Sequence, residues 1–136
     1  MTELKEIIPS SRKNLQLLEV LINKANSVIN LSSEQFQKFM IAATELFVNA
    51  VVHGNKEDES KNVYAEVFVD ENSITLIMKD EGNGFDVNSL PDPTVPENIL
   101  KDSGRGVFIV KSLVDEFDYR KKENATEVMI RVNKKL

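Results

Sequence analysis

Three polar side chains interrupt an otherwise apolar segment of the chain. Residues 41–52 read IAATELFVNAVV, and the interruptions are Thr44, Glu45 and Asn49. Because a helix over this segment is apolar around nearly its whole circumference, we expect it to be buried on most sides. At about 100° per residue of an α-helix, Glu45, Asn49 and His53 fall within about 80° of one another. A buried carboxylate is costly unless it is paired or lies near a cation. The stripe is therefore either a structural arrangement with an unseen Lys or Arg, or one wall of a site for water, metal or phosphate.

The ligand types available narrow the chemistry of such a site. Glu45 and Asn49 offer only oxygen ligands to a metal, and this pair suits Mg²⁺ better than a softer ion. The chain has no cysteine and one histidine. This excludes a disulfide scaffold, a thiolate zinc site, a cysteine nucleophile and any metal site built from several histidines.

Two further polar residues share the parity of apolar residues in strand-like segments. Asp80 falls on the same alternate positions as the apolar residues of 74–78, and Thr126 on the same alternate positions as those of 128–132. Both side chains are therefore expected to face the core. Glu-Gly-Asn-Gly-Phe follows Asp80 directly at 81–85. An inward carboxylate at a glycine-rich strand end indicates an acceptor for a bound ligand, and the alternative is an ordinary turn.

A third polar group precedes an apolar helical run at 106–114. It reads Ser103-Gly104-Arg105-Gly106. Glycines there allow backbone N–H groups and the helix dipole to meet an anion. Arg105 adds a permanent charge and a fork of donors. The alternative is a glycine-rich helix start with a solvated Arg, because neither a Walker loop nor a GxGxxG motif is present.

The elements that must position these groups follow from the periodicity of the chain. A capping box of Ser32 and Gln35 begins the helix that carries the first stripe. An earlier helix is expected to be capped by Ser10 or Ser11. The predicted order is β-α-α-β-β-loop-α-β-β, with strands at 3–8, 63–70, 74–80, around 117–119 and at 126–132, and with a long connection at 81–103.

Length and charge limit the class of protein. The chain has 136 residues, a length that fits one domain over residues 1–136. Its formal charge is −5. An acidic chain is a poor candidate for binding phosphate backbones, so we expect no nucleic-acid partner. No apolar run is long enough for a signal peptide or a membrane span. We therefore expect a cytoplasmic protein without a membrane partner.

Together and in this order, the three polar groups resemble the motifs of the Bergerat ATP-binding fold, which type II topoisomerases, histidine kinases and mismatch-repair ATPases share. Small bacterial serine-protein kinases that act as anti-sigma factors are the most similar, since they share the short length and the run Asn-Ala-x-x-His-Gly at 49–54. The resemblance spans about residues 3–132. It implies an α+β two-layer sandwich, with a mixed, mostly antiparallel sheet and helices on one face. The matching motifs are Glu45-x-x-x-Asn49, Asp80-x-Gly82-x-Gly84-Phe85 and Gly104-Arg105-Gly106-Val107.

The resemblance also implies a role for each motif. Glu45 is the general base, and Asn49 holds the Mg²⁺ that bridges the ATP phosphates. Asp80 accepts from the adenine amino group, with Thr126 beside it. Arg105 acts near the γ-phosphate as the second catalytic residue, and residues 86–103 form a lid. The remaining nucleotide-binding residues are His53, Gly82, Gly84, Phe85, Gly104, Gly106 and Val107.

One position departs from the family pattern. The family usually has Gly before the last Thr, whereas this chain has Ala125 before Thr126. Alanine costs little there unless the backbone requires a positive φ.

The function implied by the resemblance is that of an ATP-dependent serine/threonine-protein kinase and anti-sigma factor in stress-responsive transcription regulation. Such a protein binds a sigma factor, phosphorylates an antagonist (anti-anti-sigma) protein and usually forms a homodimer. One alternative is an ATP-binding regulatory module of the same fold without phosphoryl transfer, although Glu45 favours the kinase. A detached histidine-kinase catalytic domain and a domain without nucleotide are further alternatives.

Overall fold

The computed structural model describes residues 1–82 and 102–135, with the backbone alone at 102–105. A 3₁₀ turn at Arg12–Asn14 precedes the first helix, and a π turn at Ala50–Gly54 continues the second. The order of elements confirms the predicted one. In chain order they are β1 (Thr2–Pro9), α1 (Leu15–Ile29), α2 (Ser33–Asn49), β2 (Asn62–Val69), β3 (Ser73–Asp80), α3 (Asp102–Leu113), β4 (Glu116–Lys122) and β5 (Ala125–Asn133).

The five strands form one sheet in the order β1-β2-β3-β5-β4. Each neighbouring pair is antiparallel. The described strands therefore form an entirely antiparallel sheet. The expected predominance of antiparallel pairs is confirmed, and the expected parallel pairing was wrong. The reason is the position of β5. Because α3 carries the chain from β3 over to β4, these two strands run in the same direction, but β5 lies between them and pairs with both.

The helices cover one face of the sheet, which gives the predicted two-layer sandwich. Every second residue of β2 and β3 is buried, and α1 packs on β1 and β2 while α2 packs on β3 and β5. The alternation follows from the two-residue period of a strand, which places one set of side chains under the helices. The largest fully buried side chains include Leu18, Ile22, Phe39, Phe47, Leu76 and Ile130.

The predicted capping box at the start of α2 is half right. The Ser32 hydroxyl accepts from the Gln35 backbone N–H at 3.2 Å. The Gln35 side chain does not return to Ser32, because it donates to the Asn133 carbonyl at 2.9 Å and accepts from the Lys135 N–H. Buried Gln35 thus ties the helix start to the end of β5. Ser11 occupies the N-cap of the 3₁₀ turn without a side-chain hydrogen bond.

Three other expectations differ from the structure or lie outside it. The segment 41–52 is mostly buried, but Ile41 is 50% exposed. Helix α3 begins at Asp102, four residues before the predicted start, so the glycine-rich stretch lies inside its first turns. The proposed lid at 86–103 lies almost wholly outside the described residues.

Among the described residues, no helix is both long and apolar enough to cross a membrane.

Candidate functional site

The first polar stripe lies against the backbone of α3. Asn49 ends α2 and is 8% exposed, and Glu45 lies one turn earlier and is half-buried. A Cβ atom added to Gly106 would lie 3.0 Å from Glu45 Oε2 and 3.8 Å from Asn49 Nδ2. The missing side chain at Gly106 therefore lets α3 approach the stripe directly. The fold brings the first and third motifs into contact.

The Asn49 amide is buried without a full set of partners. Its Nδ2 atom has no hydrogen-bond partner among the described residues. An unpaired amide in an apolar helix costs free energy unless a ligand completes it. No group of three or more His, Cys, Asp or Glu side chains in the described ranges could hold a metal ion. The Oδ1 atom of Asn49 is the one that suits Mg²⁺, which is usually held by one or two protein oxygens together with substrate phosphates, whereas the unpaired Nδ2 is a hydrogen-bond donor that a phosphate oxygen would satisfy.

Asp80 ends β3 as a buried carboxyl group. It is 7% exposed and lies opposite Thr126 in the register of β3 and β5. Burial raises the pKa of Asp80 to about 6, although the Gly82 N–H, which donates to Oδ1 at 2.9 Å, and the nearby Lys61 charge oppose this rise. Its ionised form is therefore costly in the absence of a further donor. A ligand that donates a hydrogen bond to Asp80 removes part of this cost.

The Thr126 hydroxyl lies beside this carboxyl group. It is close enough to favour the ionised form of Asp80, but it forms no hydrogen bond of good geometry with any described residue. The parity prediction that Asp80 and Thr126 both face inward is confirmed by their burial. The two inward polar groups meet because their strands are neighbours in the sheet.

Asn49, Asp80 and Thr126 line the same small cavity. Its free volume is about 20 Å³, which is room for one water molecule and not for a purine base. Val107 of α3 forms one wall, and the other walls are largely apolar. A planar base therefore needs more room than the described residues leave between these walls. Apolar walls with a few convergent polar groups are typical of small-molecule sites.

Several residues that line the cavity were not among the predicted site residues. Met78 shares the inward parity of Asp80, and Phe117 and Tyr119 alternate on β4. The alternation of Phe117 and Tyr119 was visible in the sequence. Their contribution to the cavity depends on the pairing of β4 with β5, in which Tyr119 is opposite Val128.

Two glycines bring the end of α2 against the end of β3. A Cβ on Gly54 would overlap the Asp80 carboxylate, and a Cβ on Gly82 would overlap the Gly54 carbonyl oxygen. The resemblance assigned Gly82 a close approach to the nucleotide. The structure shows a close approach to protein backbone at the same position. Gly54 was not predicted as a site residue, although the sequence shows it as the glycine directly after the polar stripe.

The π turn changes the position of His53 relative to the stripe. The Asn55 N–H donates to the Ala50 carbonyl at 2.8 Å, which is an i→i+5 bond. Regular α-helical spacing therefore ends at Asn49, and the extrapolation of the stripe to His53 does not hold. His53 is half-buried and is not among the described residues that line the cavity. Its role in nucleotide binding stays a prediction.

The remaining predicted residues are only partly described. Gly84 and Phe85 lie outside the described residues, and at Gly104 and Arg105 the backbone alone is described, as part of α3. The first four N–H groups of any α-helix lack intrahelical partners. Gly104 and Arg105 are the third and fourth residues of α3, so their position in the helix remains compatible with anion binding. The contribution of the Arg105 side chain stays a prediction.

The departure at Ala125 has a simple structural answer. The left-handed residue of the β4–β5 turn is Asn124, with φ of 60°, and Ala125 is not among the described residues with positive φ. Asparagine tolerates this conformation better than most residues. The alanine in place of the usual glycine therefore imposes no backbone strain.

Comparisons with known proteins identify the relatives of this chain. The model of the histidine kinase-like ATPase domain matches residues 8–132. The serine-protein kinase RsbW of Staphylococcus aureus strain JH9 is 28% identical over 137 residues, which cover 94% of this chain and 85% of the relative. The same identity and coverage are found with RsbW of S. aureus strain Newman.

Solved structures show the same fold. The crystal structure of the RsbU and RsbW domains of Rv1364c from Mycobacterium tuberculosis matches with a TM-score of 0.67 and 13% identity, over 100% of this chain and 34% of that chain. The histidine kinase domain of the blue-light activated histidine kinase EL346 from Erythrobacter litoralis matches with a TM-score of 0.55 and 16% identity, over 91% of this chain and 63% of that chain. With the family model covering most of the chain, and with the first and third motifs in contact, this protein belongs to the histidine kinase-like ATPase domain family.

Proposed function

We propose that this protein is an ATP-dependent serine/threonine-protein kinase that acts as an anti-sigma factor. The observation that carries the proposal is the close approach of Gly106 to Glu45 and Asn49, which leaves so little space that a Cβ at Gly106 would lie 3.0 Å from Glu45 Oε2. It puts a carboxylate, a buried amide and the first turns of a helix around one point. The likeness to RsbW serine-protein kinases over 94% of the chain supports the same reading.

The nucleotide base is assigned to the apolar cavity. Asp80, held by the Gly82 N–H, offers an acceptor for the exocyclic amino group of adenine, and guanine carries a carbonyl oxygen at the equivalent place. Thr126 adds a hydroxyl without a partner among the described residues. A site with a buried acceptor discriminates strongly against a ligand that lacks the donor.

Glu45 is assigned the role of general base. As the acceptor hydroxyl attacks the γ-phosphorus of ATP, its oxygen forms the new P–O bond, and its proton passes to the Glu45 carboxylate. The bond to the β,γ-bridging oxygen breaks, and ADP leaves. Asn49 would hold Mg²⁺, which neutralises phosphate charge. The N–H groups at the start of α3 and the charge of Arg105 are assigned to the transferred phosphoryl group.

The direct test is a transfer assay. The protein, Mg²⁺ and γ-labelled ATP are mixed with purified candidate antagonist proteins, and the product is examined for phosphoserine or phosphothreonine. We expect one antagonist to become labelled, and the label to disappear in EDTA. Tight ATP binding without labelling of any protein in these mixtures or in cell extract would instead favour the ATP-binding module.

The protein partners form a separate part of the proposal. We assign to this chain a sigma factor as its binding partner, the antagonist as its phosphoacceptor, and a second copy of itself in a homodimer. The support is the likeness to RsbW and the resemblance to anti-sigma kinases. Analytical ultracentrifugation of the purified protein, alone and with candidate sigma factors, measures both assemblies.

We expect Asn49→Ala to weaken Mg-ATP binding by roughly tenfold or more, on the scale of one interaction with a charged group. Alanine offers no oxygen to the metal, whereas the buried Asn49 amide offers one. Because Asn49 Nδ2 is unpaired in the described structure, the substitution should cost the apo protein little stability. Calorimetry with Mg-ATP, and with ATP in EDTA as the control, measures the effect. Equal Mg-ATP affinity in variant and parent would remove the metal assignment.

A further inference from the structure

A closed ring of hydrogen bonds lies behind the candidate site. Asn55 is fully buried, and its Nδ2 donates to the Asn62 carbonyl at 3.0 Å. Its Oδ1 accepts from the Glu81 backbone N–H at 2.8 Å. The Glu81 carboxylate in turn accepts from the Asn62 backbone N–H. Glu81, Asn55 before β2 and Asn62 at the start of β2 therefore satisfy one another in a single ring.

This ring joins the two ends of the candidate site. The Asn55 backbone N–H closes the π turn that follows Asn49. Glu81, which Asn55 holds, follows Asp80 directly, and Gly54 packs against the Asp80 carboxylate. The position of Asp80 relative to Asn49 is thus set through Asn55.

The ring also limits the freedom of Asp80. On the far side of Glu81, the Gly82 N–H is bonded to Asp80 itself. Both peptide N–H groups that follow Asp80 are therefore fixed, one by Asn55 and one by the carboxylate. Without the Asn55 amide, the Glu81 N–H and the Asn62 carbonyl lose their partners, and the strand end must rearrange to satisfy them. A costly buried carboxylate is then free to turn away from the cavity.

We propose that Asn55 is a positioning residue, which holds Asp80 in the orientation that accepts a hydrogen bond from the amino group of the base. This inference rests on the proposed function, because it requires that the cavity binds an adenine nucleotide. It adds a residue that touches neither base nor phosphate and acts through the end of β3.

The test compares ATP with purine riboside triphosphate, which lacks the 6-amino group. We expect the parent to prefer ATP, and Asn55→Ala to reduce that preference by roughly tenfold, on the scale of one buried hydrogen bond of good geometry. The ratio of the two affinities is the readout, because a general loss of stability lowers both affinities together. Calorimetry at a temperature where the variant is folded measures the ratio.

Two sets of variants complete the test. Asn26→Ala is the matched control, since the Asn26 side chain accepts from the Leu31 N–H at 2.9 Å at the end of α1, so its loss affects stability and should leave the ratio unchanged. Glu81→Ala breaks one arm of the ring and should reduce the preference for ATP, and Glu81→Gln, which retains an acceptor, should restore it. This pair decides the question if Asn55→Ala does not fold.

The outcomes separate the inference from the proposed function. A folded Asn55→Ala variant, or failing that a Glu81→Ala variant, with the parental preference for ATP overturns the positioning role alone. A parent that binds neither nucleotide overturns the proposed function and the positioning role with it. A reduced ratio in the ring variants, with a parental ratio in Asn26→Ala, supports the role of Asn55.

Discussion

Glu45→Gln should reduce phosphorylation of the acceptor protein by roughly 10²-fold or more, the scale of a lost acid–base group, and should leave ATP affinity close to that of the parent. Glutamine has nearly the same shape as glutamate, so the contact with Gly106 is retained, but it cannot take the proton of the attacking hydroxyl. Phosphoryl transfer otherwise depends on positioning and charge neutralisation, which the substitution leaves largely in place. The change therefore appears in kcat and not in nucleotide binding.

Initial rates with an identified antagonist and a separate binding measurement provide the comparison. Glu34→Gln is the matched control, because Glu34 lies in the first turn of the same helix and pairs with Lys38 at the surface. The control should phosphorylate at the parental rate. If Glu45→Gln also does so, Glu45 is not the base, and the assignment of a catalytic carboxylate to α2 fails.

Asp80→Asn should have two opposite effects, with ATP binding weakened by roughly tenfold or more and the apo protein made more stable at pH 8. The folded-state pKa of Asp80 is raised to about 6 from its ordinary 3.8. The stabilisation that comes from protonated Asp80 is therefore fully present below about pH 4 and is lost as the pH rises through about 6. At pH 8 the parent carries the full cost, about 3 kcal/mol as an upper bound, and an uncharged Asn does not.

Thermal unfolding without nucleotide at pH 4 and pH 8 measures the change in stability, and calorimetry with ATP measures the loss of affinity. The stability gap between variant and parent should widen as the pH rises. Asp118→Asn is the control, since Asp118 pairs with Arg120 at the surface and should leave ATP affinity unchanged. A gap that does not change with pH, or parental ATP affinity in Asp80→Asn, would contradict the role of Asp80 as a buried acceptor.

Local periodicity was enough to predict the elements and the orientation of several site residues. The alternation along 74–80 and 126–132 placed Asp80 and Thr126 on the buried face, since a strand has a period of two wherever it lies. Helical spacing likewise placed Glu45 and Asn49 one turn apart on α2. These predictions held because each depends only on the backbone of one segment.

Local rules failed where a distant partner competed for the same group. Gln35 was expected to complete a capping box, but its amide bonds the backbone at Asn133 and Lys135. Likewise, Gly104 and Gly106 were interpreted as the approach to a helix, yet α3 begins before them. Glycine lowers helix propensity by about 1 kcal/mol, which packing of α3 against α2 is able to outweigh.

By itself the sequence determined the order of elements, the inward set of polar side chains and, through its three motifs, the family. Only the tertiary structure decided that Gly106 meets Glu45, that Gly54 packs on Asp80, and that Asn55 bonds Glu81. It also decided that Val107 lines one cavity together with Asn49, Asp80 and Thr126. Each of these contacts joins residues that are far apart in the chain. Their relative position depends on strand register and helix packing, which the periodicity of a single segment does not contain.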